Sequence, residues 1–121
     1  MFDNYTLISV ITLITIDLIY LNVVKRYFSD QIENIQKSPL EINYFGMCFS
    51  YVLIILGINY FIVEPRKSVF DAFLLGIIIY GVYETTNYAL FKKWSFMTVI
   101  LDTLWGGLLF AITTYIIKLS R

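Results

Sequence analysis

Histidine is absent from the 121 residues of the chain. Its absence removes the usual general base, the side chain that most often changes charge near neutral pH, and the commonest metal ligand. Cysteine occurs once, as Cys48. One thiol makes no disulfide within the chain and no thiolate zinc site. Charge is scarce, at 15% of residues, where soluble domains carry about 25%. Nine basic and nine acidic residues cancel, which leaves no basic surplus for binding nucleic acid. Apolar residues instead make up 59% of the chain, and the mean hydropathy is +0.74. A small soluble domain buries only about 60% of the surface its unfolded chain exposes, too little to hide so much apolar area. The solvent that suits this composition is a bilayer.

Four apolar runs organise the chain: residues 5–24, 42–63, 69–91 and 96–117. Each is close to the roughly 20 residues that an α-helix needs to cross about 30 Å of hydrocarbon. Backbone polar groups must be satisfied inside lipid, so a spanning segment is a helix or part of a closed barrel, and four runs cannot close one. The expected fold is all-α: one transmembrane domain over residues 1–121, an integral membrane bundle of four transmembrane helices. The first run is not expected to be a cleaved signal peptide, since it lacks a basic start, is too long and is followed by no small-residue cleavage site.

The links between runs refine this picture. Ser68 can cap the third helix, with Asp71 completing a capping box, and Ser95 can cap the fourth. These tight links predict that the second, third and fourth helices are consecutive antiparallel neighbours. The longer link, residues 25–41, holds either a short surface helix begun by Ser29 or a plain polar loop. Trp94, Tyr27, Tyr44 and Tyr60 lie near run ends, where interfacial aromatics sit. Arg66, Lys67, Lys118 and Arg121 fall on the N-terminal side of the membrane, side A, and Lys25, Arg26, Lys37, Lys92 and Lys93 on the other, side B. That near balance leaves the orientation and the host membrane open, although Lys25 and Arg26 directly after the first helix favour a cytoplasmic side B.

Four carboxyls fall in the runs, and three of them, Asp17, Glu84 and Asp102, lie away from a run end. A charge at the bilayer centre costs about 3 kcal/mol or more, so such residues face a partner or a cavity. At 1.5 Å per residue all three lie about 4–7 Å from the midplane, displaced toward side B. Residues three and four apart share a helix face. Asp17 shares its face with Tyr20, Glu84 with Tyr80, Asn87 and Tyr88, and Asp102 with Thr98 and Trp105. Asp17-Leu18-Ile19-Tyr20 and Asp102-Thr103-Leu104-Trp105 repeat one pattern, an acid with an aromatic three places on. No Lys or Arg lies inside any of the four runs. Like charges within a few ångströms cannot all ionise in a low dielectric. The acids must then share protons or hold a cation, and an oxygen-only set suits Na⁺, Ca²⁺, Mg²⁺ or Mn²⁺ better than zinc or copper. Equally, a protonated acid can serve as helix–helix glue. Asp71, in a first turn, reads as a cap.

Small residues recur at a spacing of four. Ala72 and Gly76, and Thr103, Gly107 and Ala111, let helix backbones approach within a protomer or between protomers. Gly106 and Gly107 either leave room for the Trp105 indole or loosen the fourth helix. Cys48 reads as a small apolar filler.

The stretch Tyr83-Glu84-Thr85-Thr86-Asn87-Tyr88-Ala89-Leu90, then Lys93-Trp94-Ser95, then Leu101-Asp102-Thr103-Leu104-Trp105-Gly106 resembles the signature of a family of integral membrane proteins, domain of unknown function 2177. Asp17-Leu18-Ile19-Tyr20-Leu21 fits its first helix. The family pattern reads Tyr-Asp-x-Thr-Asn, a Gly-Trp-Pro-like turn, then Val-Asp-x-x-Trp-Gly. Here Glu84 stands in place of the usual Asp, Tyr20 in place of Trp, and Lys93-Trp94-Ser95 in place of the turn. The resemblance implies four membrane helices and points to the same acids. It brings no activity with it.

Three functions fit these residues. The first is a cation or proton channel or transporter, with Asp17, Glu84 and Asp102 as the ion site and Tyr20, Tyr80, Asn87, Tyr88, Thr98 and Trp105 shaping it. Four helices enclose little, so a homo-oligomer in the lipid bilayer is expected. The second is a structural, partner-binding or lipid-binding membrane protein with the acids as buried glue. The third is a metal-dependent membrane enzyme, disfavoured because no intramembrane Arg is present to hold a phosphate. No catalytic residue and no organic cofactor is indicated; a bound monovalent or divalent cation is the one ligand the acids suggest.

Overall fold

The computed structural model describes residues 3–121. Its regular elements are all helical: α1 (Asn4–Gln36), α2 (Tyr44–Ile58), which runs on into a π-helical turn (Asn59–Val63), α3 (Val69–Leu90) and α4 (Phe96–Ser120). Four helices are long and apolar enough to cross a membrane. Each start is capped by a short polar side chain. Asp3 accepts from the Thr6 amide at 3.0 Å, and that bond to its charged form holds the Asp3 carboxyl below the usual range. Asn43 accepts from the Gly46 amide, and Ser95 from the Met97 amide. Ser68 and Asp71 form the capping box over α3.

The long link behaves differently from expectation. α1 does not stop after Val24; it continues unbroken for 33 residues, about 50 Å. Ser29 is interior to it and caps nothing. The reason is that residues 25–36 hold no proline or glycine, and the first breaker is Pro39. The helix ends at Lys37, which adopts the left-handed conformation (φ 60°) and donates its amide to the Glu33 carbonyl. The extension is tied down on side B. The Gln31 side-chain oxygen accepts from the Ser95 amide at 2.9 Å and from the Thr98 hydroxyl at 3.0 Å, and the Tyr27 hydroxyl meets the same Ser95 and Thr98. α1 thus covers the turn between α3 and α4 and supplies part of the α4 cap.

The main interface joins α3 and α4. A Cβ added to Gly76 would lie 2.1 Å from the Gly106 carbonyl oxygen, so the two backbones touch there. A Cβ on Gly107 would meet Phe73 and Ile77 of α3. Ala72 is fully buried, while Thr103 and Ala111 are half-buried. Gly106 makes room for the Tyr80 ring of α3. α4 packs next against α1, and α2 lies along α1 with its π turn touching α1 and α4. The expected α2–α3 pairing is replaced by the order α2–α1–α4–α3. The cause is polar, because Tyr51 of α2 and Asn59 of its π turn find their partners, Asp17 and Ser9, on α1. Leu13, Ile58, Ile62, Ala72, Leu109, Phe110 and Ile117 form the apolar core. Leu7, Ile11, Phe45, Phe49, Leu53 and Ile78 face outward, as lipid-covered positions do. Cys48 is exposed on α2 and fills no core gap.

Candidate functional site

Asp17, Glu84 and Asp102 are all buried, and each meets a hydrogen-bond donor from outside its own helix. Asp17 has two. The Tyr51 hydroxyl of α2 donates to its Oδ2 at 2.5 Å, and the Trp105 indole N–H of α4 donates to its Oδ1 at 2.9 Å. The Tyr20 hydroxyl of α1 donates to Asp102 Oδ1 at 3.3 Å. The Trp94 indole N–H donates to Glu84 Oε1 at 2.8 Å.

The repeated pattern on α1 and α4 now has a physical meaning. Asp17 and Tyr20 sit three apart on α1, and Asp102 and Trp105 sit three apart on α4. The helices are antiparallel, so each aromatic reaches the acid of the other helix rather than its own. Between the two bonds the Tyr20 and Trp105 rings stack, with centroids 4.4 Å apart and planes 4° from parallel. This reciprocal exchange locks the register of α1 on α4 and fixes two carboxyls about one stacked pair.

Glu84 joins the same network through Asp102. The two carboxyls come within hydrogen-bonding reach of each other. Glu84 Oε2, which is buried, has no donor among the neutral side chains around it. A proton held between facing carboxyls would supply the missing bond. No Lys or Arg lies within the apolar runs to provide a countercharge. Lys93 lies against Lys37 on side B instead of reaching inward. Among the described residues, no group of three or more His, Cys, Asp or Glu is placed to hold one metal ion.

The remaining residues divide. Tyr20 and Trp105 are direct partners of the acids. The Tyr80 ring packs on Gly106 and edge-on to Phe110, in the field of Asp17 and Asp102. Thr98 is fully buried but belongs to the Gln31 and Tyr27 cap, not to Asp102. Tyr88 is exposed and packs against Phe96. Asn87 is half-buried, and no hydrogen bond from its side chain is found among the described residues. Sequence reasoning missed Tyr51 and Trp94. Tyr51 sits in an uncharged run with nothing to single it out. Trp94 was placed at the interface because it lies in a turn, yet it is buried and its indole points back to Glu84. The Lys93-Trp94-Ser95 motif was the available signal.

Comparison with curated proteins and with solved structures returned no match. The profile of one family aligns with residues 2–118, nearly the whole chain, and by that match the chain belongs to domain of unknown function 2177, a family described as predicted membrane protein.

Proposed function

We propose that this chain moves protons across its membrane, as a channel or a proton-coupled carrier, through the carboxyls of Asp17, Glu84 and Asp102. The observation that carries this reading is the facing pair of buried carboxyls, Glu84 and Asp102, within a membrane bundle whose apolar runs contain no cation. Two such groups stay together only with a proton or cation between them. Asp17, with two neutral donors on its two oxygens, is suited to carry the negative charge. The scattering of the acids on either side of the Tyr20–Trp105 stack favours a proton over a metal ion. In this reading Tyr20, Trp105 and Trp94 hold the carboxyls in place, and several copies would assemble to enclose the path.

Reconstitution into sealed vesicles with a trapped pH dye and an imposed potassium diffusion potential tests it. Proton entry should exceed that of protein-free vesicles. Asp17→Asn, Glu84→Gln and Asp102→Asn should each lower it about tenfold or more while the protein still elutes as a folded species. Entry unchanged in all three variants would refute the proposal.

A second reading has its own observation. Asp17 ties α1 to α2 and α4, and Asp102 ties α4 to α1. If the acids are only helix–helix glue, wild-type vesicles pass no protons and the amide variants change the melting temperature alone.

A further inference from the structure

The register fixed by Tyr20 on Asp102 and Asp17 on Trp105 extends along both helices. Equal steps toward side A bring Leu13 level with Leu109, and then Ser9 level with Thr113. All four are fully buried. At the far end the Arg121 guanidinium, one turn beyond the level of Tyr5, lies 4.7 Å from the Tyr5 ring centroid. The bundle therefore carries a second polar level, separated from the carboxyls by an apolar one.

The groups at that level are not all satisfied. Ser9 donates to the Thr6 carbonyl at 2.6 Å and accepts from Asn59 Nδ2 at 2.8 Å. Asn59 donates also to the Ile55 carbonyl, so its amide hydrogens are engaged and its Oδ1 is left to accept. Asn59 opens the π-helical turn, an irregularity that often marks a functional position. Among the described residues the Thr113 hydroxyl has no partner, and the same is true of its neighbour Thr114. Threonines in a helix ordinarily bond back to a carbonyl of the preceding turn. Thr85 and Thr86 do so, on the Gly81 and Val82 carbonyls, although both are exposed. Thr113 does not, although it is fully buried, where an unmade bond is most costly.

We infer that Ser9, Asn59 and Thr113 form a binding site for internal water in the side-A half of the bundle. Its oxygens offer two to four bonds, which is what a buried water requires. Resting on the transport reading above, this water links the carboxyls to side A, and the Leu13–Leu109 level is the dry step between them.

Thiol accessibility tests the site without reference to transport. In a Cys48→Ser background, Thr113→Cys and Leu109→Cys are placed separately in lipid nanodiscs and exposed to a small charged methanethiosulfonate. A hydrated site makes Thr113→Cys react about tenfold faster than Leu109→Cys; equal rates, or no reaction at either, overturn the site. Vesicle flux tests its role. Thr113→Val should slow proton entry about tenfold and Thr113→Ser should restore it, with both variants keeping the wild-type melting profile. Entry unaffected by Thr113→Val overturns the link to the carboxyls. A reactive Thr113→Cys in a protein that passes no protons leaves the water site standing and refutes the transport reading instead.

Discussion

At the scale of single residues, the site depends on neutral donors. Indoles and phenols, not cations, meet the buried carboxyls, and each bond is lost with one substitution. Trp94→Phe keeps an aromatic ring, smaller than the indole, but removes the N–H from Glu84 Oε1. It leaves a buried acceptor without its donor, so it should destabilise the fold by about 2 kcal/mol, read as a lower thermal midpoint in detergent. An unchanged midpoint would mean that the indole bond contributes nothing. The three acids were legible in the sequence because a charge inside an apolar run has few explanations. Their donors were only partly legible. Tyr20 and Trp105 stood out through their spacing from the acids, whereas Tyr51 did not, since helical periodicity reports contacts within one helix and not across two. Tyr88 shows the converse error, sharing the Glu84 face by spacing while lying exposed against Phe96.

At the scale of elements, close approach of α3 and α4 sets the geometry in which Glu84 and Asp102 meet. Gly76→Ala would place a Cβ 2.1 Å from a backbone oxygen that cannot step aside. It should cost about 3 kcal/mol or abolish folding. Gly57→Ala is the control, because among the described residues no other part of the fold lies within 4 Å of its added Cβ. There the better helix propensity of alanine should leave stability unchanged or raise it by up to about 1 kcal/mol. Thermal unfolding of the two variants separates them, and equal effects would contradict the packing described. The small-residue spacing announced this interface, but not which side chain the glycines admit. Helix ends were readable wherever a cap residue stood beside a breaker, as at Ser68 after Pro65. The end of the first helix was misplaced because the apolar run ends at Val24 while the helix does not: polarity marks where lipid ends, and only Pro39 marks where the helix must.

At the scale of the whole molecule, side B brings two like charges together from distant parts of the chain. The ammonium groups of Lys93 and Lys37 are in contact, and this holds Lys93 below the ordinary lysine value of 10.5. The charged form of Lys93 is therefore penalised in the folded state. Between its lowered value and 10.5 the unfolded chain binds more protons, so stability should rise with pH across that window. Below the window the penalty stays constant. Lys37→Gln should raise the melting temperature at neutral pH and flatten the rise, as unfolding scans at stepped pH would show; a steeper rise in the variant would contradict the contact. The bundle order α2–α1–α4–α3 was not legible, because link length predicts which helices can pair, and the hydrogen bonds of Tyr51 and Asn59 decide which do.

On the proposed function, Glu84 and Asp102 hold a proton between them. Infrared spectroscopy of the folded protein in lipid films tests this directly. A protonated-carboxyl stretch is expected that shifts in heavy water, disappears in both Glu84→Gln and Asp102→Asn, and survives in Asp17→Asn. A wild-type spectrum with no such band, or a band removed only by Asp17→Asn, would contradict it.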